Sequence, residues 1–274
     1  MSTTNAKSHN EAIDAERVGQ AVQAYQRGDD ATAEALLLEV VGRAPATYVY
    51  QFEDASGLNI KFWDRAEFMH YVAWMKDNGA ERHLTWFSSA YPRAFYHLGF
   101  LRVKAKRYAE AVDFLDRGSA LEPTNPKFSF EKAMALMQMR RFDQALALFE
   151  KVSKVGPHVS PNDVARALRG RGAISIEAGQ LDRAEAAFRE SLRWEPESKV
   201  TLNELLYIAQ LRRGMGAAPS EITTSSGTTA GKCAVCGREF TKGTLATVKG
   251  KSVFVCETCQ MTESKSKKWW EVWK

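Results

Sequence analysis

Residues 92–123, PRAFYHLGFLRVKAKRYAEAVDFLDRGSALEP, decide the fold of this chain, because their pattern returns in steps of 34 residues. Small residues recur as Gly99, Ala133 and, after a five-residue slip, Gly172. A second set recurs in the same register as Ala111, Ala145 and Ala184, followed by the bulky apolar Leu115, Phe149 and Phe188. Each unit closes on a proline, Pro123, Pro157 or Pro196. Backbones approach tightly only where side chains are small, and a proline ends a helix, so each unit reads as two helices crossing closely. Stacked units of this kind form a helical array suited to binding other proteins.

Working outward, Ser198 to Arg213 has Val200, Leu202, Leu205, Leu206, Ile208 and Ala209 on one side and reads as a closing helix over the last hairpin. Upstream, residues 11–46 place Ala21, Gly28, Ala33, Leu37 and Pro45 in the same frame, which predicts a degenerate first hairpin. The ten residues before it show no periodicity and are expected to be a disordered tail.

Residues 47–91 break the frame. Tyr48, Tyr50 and Phe52 alternate with Val49, Gln51 and Glu53, and Asp54 to Gly57 offers a turn into a partner strand, Leu58 to Trp63. Asp64 and Glu67 make a capping-box pattern that opens a helix ending at Gly79, and His83 to Phe87 reads as a third strand. The segment is therefore an aromatic-rich α/β insert of order β-β-α-β, its aromatics serving mainly as core. Trp63, Trp74 and Trp86 cannot all face inward, and His70 and His83 carry no chemistry unless they converge on other groups.

Units 92–125, 126–159 and 165–198 resemble tetratricopeptide repeats through Phe95, Leu168, Leu98-Gly99, Tyr108, Phe142, Leu181 and the alanine and proline positions above. Arg102 and Leu136 replace the usual aromatic, and Gly118 a usual alanine. The resemblance implies a mainly α fold, a superhelix of stacked hairpins whose first helices line a groove for a protein or peptide. By register that groove would hold Arg93, Tyr96, Phe100 and Lys104; Lys127, Phe130, Met134 and Met137; Arg166, Arg169, Ala173 and Ile176; and Asn203 and Tyr207. An apolar floor with a basic rim suits an acidic, hydrophobic segment. The paired Asn and Lys that clamp C-terminal carboxylates in some relatives are missing, apart from Asn203.

Residues 214–232 have almost nothing to bury and read as a flexible linker. Residues 233–274 then carry all four cysteines, Cys233, Cys236, Cys256 and Cys259, in the pattern C-x2-C-x19-C-x2-C. Two thiolate pairs at this spacing suit one tetrahedral Zn2+ in a zinc-ribbon-like module, with a hairpin of Thr244–Val248 and Ser252–Val255 bringing the pairs together. Four thiolates leave no open position, so the metal is structural and contributes on the order of 10 kcal/mol to folding. A redox role for the two CxxC pairs is the alternative. The same stretch resembles the treble-clef zinc module of the Clp-family unfoldases, which implies recruitment of proteins.

The tail KSKKWWEVWK sets Trp269, Trp270 and Trp273 beside lysines; self-packing, partner docking, a membrane surface and single-stranded nucleic acid are all open to it. Charge is concentrated here: residues 231–274 hold nine Lys/Arg against four Asp/Glu, and the rest of the chain 29 against 29. No phosphate loop, nucleophile elbow or His/Glu metal pattern points to an enzyme. No run of apolar residues suits a membrane span or signal peptide, and a cytoplasmic location is expected. The reading is a non-enzymatic protein-interaction scaffold with a zinc module as second contact, against an adaptor that binds DNA or RNA through the basic module. The oligomeric state is not encoded in any pattern found.

Overall fold

The structure, a computed structural model, describes the backbone of residues 2–213 and of the short strands 224–225, 231–232, 239–240, 243–248 and 251–256, with side chains from residue 11 to 213. It divides into two compact units, Met1–Ala167 and Leu168–Lys274.

The first unit opens with a hairpin of α1 (Ser2–Gln26) and α2 (Asp30–Gly42). Asp29 caps α2 by accepting the Thr32 amide at 3.0 Å, and Gly28 takes the left-handed turn between the helices at φ +87°. Helical backbone reaches back to Ser2, which corrects the expected tail. Adding residues to a formed helix avoids the cost of nucleation, so a segment without an apolar face can still extend one.

The insert follows as β1 (Gln51–Asp54), β2 (Gly57–Phe62), α3 (Arg65–Asp77) and β3 (Leu84–Ser88), the expected order. β1 runs antiparallel to β2, and β3 lies parallel to it on the other side. Gly57 is required at the turn: its φ is +121°, and a Cβ there would lie 2.4 Å from the His83 carbonyl oxygen. Leu58, Ile60 and Phe62 of β2 pack on Tyr71 and Met75 of α3, giving the insert a core of its own. The first strand is shorter than its alternation predicts. Tyr48 turns out of it to donate its hydroxyl to Glu11 Oε1 at 2.8 Å and to set its ring edge-on to Tyr91.

The regular array begins with α4 (Tyr91–Lys104) and α5 (Tyr108–Leu121), continues with α6 (Pro126–Gln138) and α7 (Phe142–Lys151), and enters α8 (Pro161–Glu177). The insert loops out of this array without interrupting it. Val18, Ala21, Leu37 and Val40 of the first hairpin share one core with Ala94, Leu98 and Leu101 of α4. Arg102, which departs from the repeat pattern, helps explain why: its Nη1 donates to Glu34 Oε2 of α2 at 2.8 Å, joining the two hairpins.

The left-handed turn recurs at one register position in all four hairpins, as Gly28 (φ +87°), Lys106 (+61°), Arg140 (+57°) and Gly179 (+71°). The small-residue contacts also follow the register. A Cβ on Gly99 would lie 2.6 Å from Leu115 Cγ, and one on Gly172 would lie 2.7 Å from Phe188 Cε2. Gly118 stands where an alanine is usual because a Cβ there would meet Phe128 Cε1 at 2.4 Å.

In the second unit α9 (Leu181–Trp194) and α10 (Lys199–Arg212) close over a cluster of Ala184, Phe188 and Ile208. Beyond them lie β4 (Thr224–Ser225), β5 (Gly231–Lys232), β6 (Glu239–Phe240), β7 (Gly243–Val248) and β8 (Lys251–Cys256). β7 and β8 form the expected antiparallel hairpin, with Gly243 opposite Cys256. β4 pairs with the other edge of β7, so the stretch read as a linker contributes a strand. Threonine and serine suit a pleated edge, and β7 has a free side to offer.

Candidate interaction site

Several polar and aromatic side chains of the first unit converge where the insert meets the repeats. Their anchor is Trp63, at the junction of β2 and α3. Asp64 accepts the Glu67 amide at 3.0 Å, and Glu67 Oε2 accepts the Trp63 amide at 2.8 Å, so the expected capping box also fixes the indole. Trp63 Nε1 donates to Glu122 Oε2 at 2.7 Å. The indole edge meets Phe128 at 5.5 Å and Tyr96 at 5.2 Å between ring centres. Lys127 Nζ lies 5.1 Å from the centre of the indole.

Glu122 is 4 % exposed, and its other oxygen accepts Asn125 Nδ2 at 2.9 Å. Burial pushes its carboxyl up to about 8, against the pull of the Asn125 and Trp63 donors. Lys127 bonds Asp64 Oδ2 at 3.1 Å and also Glu67 Oε1. Burial works against its charge, but those two carboxylates outweigh it and raise its pKa.

Two turns further along α3, His70 Nε2 donates to the Gly156 carbonyl at 2.8 Å. Next to that carbonyl, His158 sits with its ring 5.1 Å from Tyr71, and burial, followed by His70, pushes it down to about 4. Thus the five-residue slip in the register falls where His70 of α3 bonds the Gly156 carbonyl. Gly156 and Val159 pair across that loop, and Ser160 caps α8 by accepting the Asp163 amide at 3.2 Å. A polar cleft of about 390 Å3 opens alongside, lined by Asp64, Glu67, His70, Lys127, His158 and Asp163 among others.

The residues expected to line one groove are not all free to do so. Phe130, Met134 and Met137 are buried (1 %, 8 % and 4 % exposed), which removes them from the lining, and Phe130 meets Phe149. Ala173 is buried as well. Tyr96 and Lys127 are covered by Trp63 and its neighbours. Arg93 donates to the Ser89 carbonyl at 3.3 Å, Phe100 packs on Tyr25, and Lys104 bonds Asp30 at 2.7 Å. Arg166 lies over the Phe130 ring at 4.5 Å.

In the second unit Arg169 is paired with Glu195 and Ile176 packs on the Phe188 cluster, while Asn203 is exposed and Tyr207 half-buried. Of the zinc ligands, Cys256 ends β8, and Cys233, Cys236 and Cys259 lie outside the described residues, as does the Lys/Trp tail. Among the described residues no cluster of three or more His, Cys, Asp or Glu could hold a metal. Nor is any described helix long and apolar enough to cross a membrane. Reading the sequence missed Glu122 and His158 as partners of the insert. Glu122 carried one signal, its place directly before a closing proline.

The tetratricopeptide repeat family model matches residues 102–171. That stretch, from the end of α4 into α8, is similar to that family. Several solved structures match larger parts of the chain, each under 25 % identical and with a TM-score under 0.5. A MamA fragment (41-end) from Desulfovibrio magneticus RS-1 is 18 % identical with a TM-score of 0.45, covering 74 % of this chain and 86 % of its own. TTC0263, a thermophilic TPR protein of Thermus thermophilus, is 17 % identical with a TM-score of 0.45, covering 74 % and 84 %. The first TPR of Spaghetti (RPAP3), bound to the HSP90 peptide SRMEEVD, is 23 % identical with a TM-score of 0.39, covering 44 % and 93 %.

Proposed function

We propose that this chain is a non-enzymatic scaffold that binds a protein or peptide segment on the first helices of its repeats. The observation that carries this reading is the seat of Trp63. The first repeat already holds an indole by a hydrogen bond, two aromatic edges and a cation, the anchor chemistry of a binding hot spot. Asn203 and Tyr207 of α10 offer further accessible surface. The partner is an acidic, hydrophobic segment, and the scaffold works in the cytoplasm.

A structural Zn2+ on Cys233, Cys236, Cys256 and Cys259 would fold the C-terminal module as a second contact. The order of the strands supports this. β5 ends directly before Cys233, β6 begins soon after Cys236, and β8 ends on Cys256. Four cysteine thiolates suit tetrahedral zinc and leave no site for chemistry. Metal analysis of the purified chain is expected to give one zinc per molecule, lost on Cys256→Ser; a chain without zinc contradicts the module. For the scaffold, affinity capture with the full chain is expected to recover a partner that Asn203→Arg with Tyr207→Ala releases while helix content is unchanged. Capture that is indifferent to these changes contradicts the assignment.

A further inference from the structure

The seat of Trp63 belongs to a series. In the 34-residue register, the residue before the closing proline is Glu122 in the first regular repeat, Gly156 in the second and Glu195 in the third. In the third repeat this position is closed from within, because Glu195 is bound by Arg169. The residues that correspond to Arg169 are Tyr96 and Phe130, and neither carries a cation. The first repeat therefore has no arginine for Glu122, and the second has no carboxylate there, its Gly156 carbonyl accepting the Val159 amide at 3.2 Å. Both positions also take a donor from the insert: Trp63 Nε1 reaches the Glu122 carboxyl, and His70 Nε2 the Gly156 carbonyl. One turn-and-helix segment thus spans two consecutive repeats in their own register.

The segment is joined to the repeats as a visiting element would be. The insert has its own core of Leu58, Ile60, Phe62, Tyr71 and Met75, distinct from the core shared by the first hairpin and α4. What crosses the boundary includes the Trp63 indole, the His70 imidazole, Tyr71 against His158, the bonds from Lys127 to Asp64 and Glu67, and Lys61 bonded to Glu11 at 2.6 Å. Contacts of this kind, between separately packed bodies, permit relative motion. The cleft beside them is lined by His70, Asp64, Glu67 and Lys127, so an incoming chain reaches the outer contacts of the segment there.

We infer that the insert is a resident competitor: Trp63 and His70 occupy a recognition surface on the first two regular repeats, which a partner takes by presenting an indole at a helix N-terminus with acidic residues in its first turn. The partner chemistry is read from the occupant, whose indole fills the ring site and whose Asp64 and Glu67 engage Lys127. This rests on the scaffold reading and specifies which surface is regulated.

The test uses the full chain and a fluorescent peptide of residues 61–77, KFWDRAEFMHYVAWMKD, with a Trp63→Ala peptide as control. Full chain carrying Trp63→Ala and His70→Ala is expected to bind the native-sequence peptide at least about tenfold tighter than unaltered chain does, because the resident anchor is gone. The control peptide should show no such gain. Full chain with Trp63→Phe, which keeps an aromatic ring but removes the N–H donor and part of the indole's volume, should give an intermediate gain. Equal affinity of all three chains for the peptide, with helix content preserved, overturns the competitor. If such chains still lose a captured partner through Asn203→Arg with Tyr207→Ala, the scaffold stands and only the competitor fails.

Discussion

Glu122 and Glu195 hold the same place in their repeats and are satisfied in opposite ways. Glu195 is paired with Arg169, on the first helix of its own repeat, and stays partly exposed. Glu122 is buried, takes its donors from Trp63 and Asn125, and is driven toward the protonated form. The difference follows from one register position, arginine in the third repeat and tyrosine in the first. A repeat that can close its own end needs nothing more, and one that cannot becomes a place for another element to dock.

The largest expected effect separates the two ends. Trp63→Ala removes a large ring and a buried donor and is expected to cost about 3 kcal/mol in urea unfolding. A loss below about 1 kcal/mol would mean the indole is peripheral. Gly118→Ala acts on the same seat from behind, since its Cβ would drive Phe128 toward Trp63. Overpacking of that kind should cost about 2 kcal/mol and lower the melting temperature. Arg169→Ala, at the end that closes itself, should cost only about 1 kcal/mol.

The pH dependence sharpens the contrast. Glu122 and Glu204 are raised from 4.5 by burial, to about 8 and about 7, so the stability they hold in acid is lost as pH rises through those values. His97 and His158 are lowered from 6.5 by burial, to about 3 and about 4, so theirs is lost as pH falls through those values. The two pairs oppose each other between about 4.5 and 6.5, which predicts a plateau there and a decline on either side. Glu122→Gln should remove most of the alkaline decline, because its value lies above that of Glu204, and leave the acid one, as followed by thermal melts from about pH 4 to 9. An unchanged alkaline limb would show that Glu122 is not held protonated.

The smallest effect concerns the turns. Lys106 and Arg140 take a left-handed backbone where the first and last hairpins use glycine. Replacing each with Gly relieves that strain at some cost in unfolded-state entropy, for an expected net gain of about 0.5 kcal/mol each. A loss at both positions would mean their side chains have a task that the register hides.

The sequence made the period legible because it is local: Gly99, Leu115 and Pro123 are spaced by helix geometry and recur. The capping box of Asp64 and Glu67 was legible for the same reason. What stayed hidden was long-range. Nothing near Trp63 says that its partner is Glu122, and nothing near Phe130 or Met137 says that their register positions turn inward. Register assigns a residue to a helix face, and only the neighbouring element decides whether that face is open. The extent of α1 was hidden differently, since propagation from a packed helix needs no pattern of its own.

Among the bonds that tie the insert to the repeats, Trp63 Nε1 to Glu122 Oε2 is the one a double-mutant cycle measures directly. Trp63→Phe removes the donor, Glu122→Leu removes both acceptor oxygens, and unfolding free energies of the unaltered chain, both single variants and the double variant are compared near pH 8. Coupling of about 1–2 kcal/mol is predicted, as expected for a hydrogen bond to a buried ionisable group. Additivity within about 0.3 kcal/mol would contradict it.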